Sequence, residues 1–220
     1  LLSRGWIVVT DADVEIATLP FIERFEATGY DHPWGLGYNP ADEDPDSAVP
    51  GGITTWGSQC LFFGDDWYEG FLPHDPTTSI YLAFEFYLNT GGYLDIYDAD
   101  NSGDYYTGKY ITLRCLAMGG NLNLYLNDTN IPVDTFVINE EQKYRVVIYW
   151  NQLTGVWNWK IDGVLAGSGT TATSAYEFGQ LLVTGNSAYV DNISVSYTNY
   201  TKWSYADLPS DDTDLSQNYT

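Results

Sequence analysis

Residues 79–88, with the sequence Ser-Ile-Tyr-Leu-Ala-Phe-Glu-Phe-Tyr-Leu, decide the fold of this chain. Leucine, isoleucine or phenylalanine occupies every second position, and tyrosine, alanine or glutamate occupies the positions between them. Because neighbouring side chains of a β-strand point to opposite faces, this period of two predicts a strand with one buried face. Residues 143–150 alternate in the same way and predict a second strand of the same kind.

Short strand patterns continue along the chain on both sides of these two segments. The Asp162-Gly163 pair is a strong signal for a tight hairpin turn. We expect a long loop over 31–50, because it is rich in Pro and Asp and has no periodicity, and an aromatic loop over 65–71. The other predicted strands cover 21–26, 53–56, 58–63, 93–97, 109–117, 121–126, 135–138, 156–161, 179–183 and 189–197. A dozen short strands with no helical pattern indicate an all-β sandwich or barrel.

The chain has 220 residues, of which 44% are hydrophobic, and this suits one large β domain. We expect an N-terminal arm over 1–20, the domain over 21–198 and an acidic C-terminal tail over 199–220. The two cysteines, Cys60 and Cys115, lie in different predicted strands among apolar neighbours. Two buried free thiols are expected, although spacing alone leaves a disulfide open.

Charge excludes some partners. The sequence holds 30 acidic residues against 8 Lys and Arg, for a net charge of −22. Binding to nucleic acid needs a basic surface, so we expect no nucleic-acid partner. No apolar run is long enough for membrane insertion. A strong negative field favours solubility, cation binding or a basic partner.

Four segments together resemble one known superfamily. They are Phe-Ile-Glu-Arg-Phe-Glu-Ala-Thr-Gly-Tyr at 21–30, Gly-Ser-Gln-Cys-Leu at 57–61, the pair 143–150 and 157–163 ending in Asp162-Gly163, and Ala-Tyr-Val-Asp-Asn-Ile-Ser-Val at 188–195. In this order they are similar to the concanavalin A-like lectin/glucanase superfamily, in its LamG-like branch. The resemblance covers 21–198. It implies a two-sheet antiparallel jelly-roll sandwich, of the kind found in secreted proteins and in capsid decoration and fibre proteins of tailed phages.

The sequence lacks the catalytic pattern of the glucanases in this superfamily. Those enzymes carry an E-x-D-x-E or E-x-D-x-x-E cluster, which places carboxylates on one face of a strand. Glu85 stands alone on its predicted strand, and Glu140 and Glu141 are adjacent and face opposite ways. The two histidines, His32 and His74, lie near prolines in predicted loops, with no nucleophile motif beside them. We therefore expect no enzymatic activity, with a polysaccharide hydrolase or lyase as the less favoured reading.

One acidic segment is a candidate calcium site. Oxygen ligands alternate from residue 98 and are followed by glycine, as at the start of a calcium loop; they are Asp98, Asp100, Ser102 and Asp104. The twelfth position is Lys109, where an EF-hand needs a glutamate. Asp-rich turns are usually only solvated turns, so both readings stay open. Some LamG-like domains bind calcium at a sheet rim. No other cofactor is expected.

Aromatic residues concentrate in three predicted loops. The candidate glycan-binding residues are Trp34, Tyr38, Trp67, Tyr68, Tyr105 and Tyr106. Aromatic faces stack on sugar rings, and neighbouring Asp and Asn can bond to hydroxyls, so these loops predict a rim that binds a neutral glycan. The alternative is that the rings cover the ends of the sandwich or form subunit contacts.

These observations lead to three hypotheses. The first is a non-enzymatic structural or display protein, such as a virion capsid decoration or fibre subunit, whose arm and tail bind sister copies or a scaffold or capsid protein. The second is a secreted carbohydrate-binding module, and the third is a polysaccharide hydrolase or lyase. The first two place the protein outside the cell or on the virion surface.

Overall fold

The computed structural model describes residues 21–23, 43–51, 53, 56, 59–64, 68–99, 111–127, 129–173 and 178–196. Every regular element among them is a β-strand, which confirms the all-β prediction. The strands are β1 (Phe21–Glu23), β2 (Glu43–Ala48), β3 (Gln59–Phe63), β4 (Tyr68–Thr77), β5 (Ser79–Ala99), β6 (Ile111–Met118), β7 (Asn121–Leu126), β8 (Asp134–Val137), β9 (Lys143–Asn151), β10 (Val156–Ile161), β11 (Val164–Thr170) and β12 (Phe178–Ser196).

All strand pairs are antiparallel, and the two longest strands, β5 and β12, lie at the centre. Residues 79–88 of β5 and 188–196 of β12 belong to the front layer, ordered β11-β10-β9-β5-β12-β3-β2, with β1 also on β12. Residues 93–99 and 178–186 belong to the back layer, where β5 pairs with β6, and β12 pairs with β4. The back layer continues from β6 to β7 and β8.

The β5–β12 ladder is interrupted where the two strands pass between layers. Their register shifts between Asn186 and Ala188 on β12, opposite the segment from Leu88 to Tyr93 on β5. Ser187 has a φ of 50° at this point. A β-bulge bends its strand and increases the local twist. The shift thus lets one continuous strand contribute to both layers.

The core lies between the two layers and is built from the alternating residues that the sequence indicated. Ile80, Leu82, Phe84 and Phe86 of β5 are all buried. Trp150 of β9 meets Phe178 of β12 edge to face, with ring centroids 5.3 Å apart. Because these rings come from opposite layers, the alternation produces a face-to-face sandwich, as predicted.

The Asp162-Gly163 hairpin has the predicted form. Its φ angles are 50° and 80°, and β10 and β11 pair directly on either side of it. Positive φ at both central positions is the type I′ geometry, which matches the twist of the flanking strands. Asp162 also accepts a hydrogen bond from the backbone N–H of Arg145 at 2.8 Å, and this fastens the turn to β9.

Several predicted boundaries are wrong. The predicted loop over 31–50 contains β2, and the predicted aromatic loop over 65–71 becomes β4 from Tyr68 onward. Neither strand alternates in hydrophobicity; β2 is held by pairing with β3, and β4 by pairing with β12. Backbone pairing of this kind leaves no periodic signal in the sequence.

Both cysteines are buried and free, as predicted. The arm over 1–20 and the tail over 199–220 lie outside the described residues. Among the described residues there is no helix with the length and apolarity needed to span a bilayer.

Candidate functional site

The surface of the front layer that points away from the core carries an unusual set of side chains, which we call the front face. Its members alternate with buried core residues on four neighbouring strands. They are Lys160 on β10, Lys143, Arg145 and Tyr149 on β9, Tyr81, Glu85 and Tyr87 on β5, and Tyr189 and Asp191 on β12. Tyrosines, cations and carboxylates thus share one sheet surface.

Glu85 lies at the centre of the front face and is only 1% exposed. Its Oε2 accepts a hydrogen bond from Trp56 Nε1 at 2.6 Å. Lys143 Nζ lies 3.1 Å from the same oxygen, and Arg145 Nε lies 4.0 Å from Oε1. Trp56 comes from the segment before β3 and is itself buried. One buried carboxylate therefore organises an indole and two cations from separate parts of the chain.

Asp191 lies directly opposite Glu85 on β12 and is also 1% exposed. It accepts a hydrogen bond from Asn192 Nδ2 at 3.0 Å. The sequence treats Glu85 as a lone carboxylate because Asp191 is 106 positions away along the chain; strand pairing brings the two together. Both carboxylates are almost completely buried.

Arg145, Glu85 and Asp191 lie opposite one another on β9, β5 and β12 and form a charged row. Aromatic side chains lie on both sides of this row. Tyr81 and Tyr149 form a cross-strand pair with ring centroids 4.6 Å apart. On the other side Tyr189 lies 4.5 Å from Phe62 of β3 and 6.0 Å from Tyr87. The four tyrosines are half-buried, so parts of their rings reach solvent. Rings held in this way present a fixed apolar surface with hydroxyls at its edge.

Burial raises the pKa of the Tyr81 hydroxyl above its usual 10.0, and the neighbouring Tyr149 hydroxyl raises it further. Tyr81 therefore stays protonated at neutral pH and can donate a hydrogen bond. The three cations of the front face are also donors, since Lys and Arg carry only N–H groups. Apart from its two buried carboxylates, the front face can stack on rings and donate hydrogen bonds, which suits ligands rich in oxygen.

The surface of the back layer that points away from the core carries an arginine that is paired with an aspartate. Arg114 of β6 binds Asp95 through three contacts of 2.6 to 3.0 Å and lies over the Tyr125 ring at 5.6 Å. The Arg114 guanidinium is therefore paired with a carboxylate of the protein itself. Burial raises the pKa of the nearby Cys115 thiol. Arg114 and Tyr125 of the back layer thus provide control positions for substitutions of cations and tyrosines on the front face.

Most of the predicted glycan and calcium residues lie outside the described residues. These are Trp34, Tyr38, Trp67, Tyr105, Tyr106, Asp100, Ser102 and Asp104. The predicted rim and calcium loop therefore stay predictions.

Two of the predicted site residues have a described backbone. Tyr68 begins β4 instead of lying in a loop. Asp98 lies within β5 instead of in a turn, opposite Leu113 and Leu181, and it is fully buried with the core-facing residues. No group of three or more possible metal ligands occurs within the part of the chain that the structure describes.

Sequence reasoning missed the front face as a site. It assigned Tyr81, Glu85 and Tyr87 to the non-core side of a strand but looked for ligand-binding residues in loops. The signal was available in residues 143–149, where Lys, Arg and Tyr occupy the outward positions of a strand in a chain with only 8 cations. The register that joins β9, β5 and β12 could not be read from the sequence.

No protein-family model matches this chain, and no curated protein matches it in sequence. Solved structures do match it in fold. A Bacillus subtilis protein of unknown function with a galectin-like fold aligns with a TM-score of 0.55 and 11% identity, over 80% of this chain and 94% of that one.

Two further structures come from proteins named for carbohydrates. The endo-β-1,4-glucuronan lyase of Trichoderma reesei aligns with a TM-score of 0.54 and 13% identity, over 81% of this chain and 95% of that one. The potassium-bound carbohydrate recognition domain of Emp46p aligns with a TM-score of 0.52 and 12% identity, over 79% and 94%. At these identities the likeness shows the fold alone: the chain has the jelly-roll fold of galectin-like and concanavalin A-like proteins.

Proposed function

We propose that this chain is a non-enzymatic carbohydrate-binding protein whose sugar site is the front face. The observation that carries the proposal is the arrangement of half-buried tyrosines on both sides of a row of hydrogen-bonding side chains. Sugar rings have apolar faces that stack on aromatic rings and hydroxyls that bond to polar groups between them. The fold likeness to lectin and lyase domains is consistent with a glycan ligand but does not identify one.

A glycan array probed with the labelled full-length chain tests this proposal. We expect binding to a defined set of glycans. The Tyr149→Ala variant should bind about tenfold more weakly, equivalent to roughly 1.4 kcal/mol, because it removes one ring of the Tyr81 pair. The control is Tyr125→Ala, which removes a tyrosine from the back layer and should leave binding unchanged.

The array also separates the front face from the loop rim predicted by the sequence. A Trp67→Ala variant changes an aromatic residue of that rim and none of the front face. Loss of binding in Trp67→Ala with no change in Tyr149→Ala would move the site to the rim. No binding to any glycan would contradict the proposal.

We also propose that the chain has no enzymatic activity. A glycosidase needs an acid and a second carboxylate on either side of the scissile bond. Glu85 and Asp191 are each 1% exposed, and Glu85 is covered by Trp56 and engaged by Lys143. Incubation of the protein with each bound polysaccharide should release no new reducing ends and no unsaturated sugars. Release of either product would identify a hydrolase or a lyase.

The display role is a further part of the proposal. A virion decoration or fibre subunit, or a secreted protein, would expose the jelly roll and use residues 1–20 and 199–220 to bind sister copies or a capsid protein. Sedimentation and limited proteolysis of the full chain test this role. We expect an oligomer or particle-bound form with both ends protected. A monomer that loses both ends to protease would contradict it.

A further inference from the structure

We infer that the glycan bound by the front face is a linear, unbranched chain that lies across the strands and is held one sugar ring wide. This rests on the proposed function and names the class of ligand for that same site. The observation behind it is a row of small side chains between the Tyr81–Tyr149 pair and the charged row. We call this row and the space above it the trough.

The bottom of the trough is formed by outward residues of three adjacent strands. Ala83 of β5 lies directly opposite Val147 of β9 on one side and Ser194 of β12 on the other. Residues paired in this way point to the same face of a sheet. All three are half-buried, so each keeps part of its surface in solvent. The trough therefore crosses the strands instead of running along them.

A bulge on β12 keeps this row on one face. The register shifts between Asp191 and Ser194, where Asn192 has a φ of 52°. An extra residue at a bulge changes the face to which the following side chains point. Asp191 and Ser194 therefore both belong to the front face, although an odd number of positions separates them along the chain.

Larger side chains stand on both sides of the row. On one side, Tyr81 and Tyr149 are the next outward residues of β5 and β9, and they form a ring pair. On the other side, the next outward residue of β5 is Glu85, which the Trp56 indole contacts through its 2.6 Å hydrogen bond. Tyr81 and Glu85 are four residues apart, or about 13 Å along the strand, and their side chains leave the width of about one sugar ring.

The trough is longer than it is wide. Its row continues onto β10, where Lys160 lies opposite Val147. The order β10-β9-β5-β12 gives three steps between neighbouring strands, or about 14 Å, which is the length of about three sugar rings. At the two ends, Ser194 and Lys160 carry a hydroxyl and an ammonium group that can bond to sugar hydroxyls. A branch on the middle ring would meet the tyrosines or Trp56, so this shape selects unbranched chains.

Isothermal titration of the full-length protein with linear oligomers of cellulose, mannan, xylan and polygalacturonate, from disaccharide to hexasaccharide, tests the inference. We expect at least one series to gain about tenfold in affinity between the disaccharide and the trisaccharide, and about twofold or less with each further ring. The comparison uses branched oligomers with the same main chains, which are fragments of xyloglucan, galactomannan, arabinoxylan and xylogalacturonan. An oligomer with a side sugar on its middle ring should bind at least about tenfold more weakly than its linear counterpart.

Substitutions that fill the trough assign the effect to these residues. Ala83→Leu adds volume at the centre of the row and should lower the affinity for the linear trisaccharide at least about tenfold, whereas Ala83→Ser should lower it less. Ser194→Leu fills the same row on β12 and should act in the same direction. The control is Thr135→Leu, which adds a leucine at an exposed position of β8 in the back layer and should leave the affinity unchanged. Thermal unfolding of each variant verifies that it is folded.

The outcomes separate this inference from the proposed function. If glycans bind and Tyr149→Ala weakens them, but folded Ala83→Leu and Ser194→Leu bind as the wild type does, the inference is wrong and the proposed function stands. Equal binding of branched and linear oligomers, or binding of other glycans with none of the linear series, would overturn it in the same way. If no glycan of any kind binds, both fail together.

Discussion

At the scale of single residues, Glu85 contributes to the stability of the front face. It is buried beneath two cations and accepts a hydrogen bond from the Trp56 indole. Removing its charge with Glu85→Gln keeps the side-chain shape but leaves Lys143 and Arg145 facing each other. Because both cations are partly exposed, we expect a loss of about 1–3 kcal/mol in the free energy of unfolding, below the cost of breaking a fully buried pair.

Urea denaturation monitored by tryptophan fluorescence measures this loss. The control is Glu141→Gln, an exposed residue that keeps its hydrogen bond from Thr90, and it should change stability by less than about 0.5 kcal/mol. Equal stability of Glu85→Gln and the wild type would mean that the cations do not depend on Glu85.

The Tyr81 hydroxyl supplies a prediction about pH. Its pKa is raised in the folded protein, first by burial and then by Tyr149, relative to 10.0 when exposed. The unfolded chain therefore loses this proton first as pH rises, so the stability associated with Tyr81 is full below pH 10.0 and declines as the pH passes the folded pKa. In Tyr149→Phe the Tyr81 pKa should fall but stay above its usual value, because burial remains. Carbon NMR of labelled tyrosines measures it, and an unchanged pKa would contradict the proposed coupling.

At the scale of strands, a hydrogen bond joins β10 to β8 across the sandwich, and Gly167 of β11 leaves room for it. Trp159 Nε1 donates to Asp134 Oδ2 at 2.8 Å, and a Cβ added at Gly167 would lie 1.8 Å from that same oxygen. Gly167→Ala should displace Asp134, break the bond and cost about 1–3 kcal/mol of stability. Ser168→Ala, at the exposed neighbouring position, should cost less than about 0.5 kcal/mol. Similar denaturation curves for the two variants would contradict the close approach.

The sequence predicted strands whose side chains alternate in hydrophobicity and missed strands that lack this alternation. The periodic segments at 79–88 and 143–150 became β5 and β9 with the expected buried faces. In contrast, β2 has the sequence Glu-Asp-Pro-Asp-Ser-Ala, and its observed strand pairing is with β3. The candidate site was missed for the related reason that Glu85, Arg145 and Asp191 meet through register, which depends on the whole sheet.

At the scale of the whole molecule, the two buried thiols report on the integrity of the sandwich. Cys60 is 0% exposed and Cys115 is 1% exposed, and burial raises the pKa of Cys115. Thiolates are the reactive form, so neither cysteine should react with a thiol reagent in the native protein. In denaturant without reductant, both should react. Fast native labelling would indicate an open sandwich, and missing thiols after denaturation would indicate a disulfide.

Of the four Lys and Arg that the structure describes, three lie on the front face, and Arg114 lies on the back layer. The proposed function rests on the tyrosines and hydrogen-bonding side chains of the front face. A similar fold occurs in a lyase and in a carbohydrate recognition domain, so the fold does not specify a ligand and this chain's own residues must do so.

The most direct test of the front-face site is an NMR titration of the isotope-labelled protein with the tightest-binding oligosaccharide from the array. The account predicts that backbone amide shifts change most at residues 81–87, 143–149 and 189–191, while those of residues 112–125 in the back layer stay in place. Shift changes confined to the back layer, or to the loops outside these strands, would contradict it.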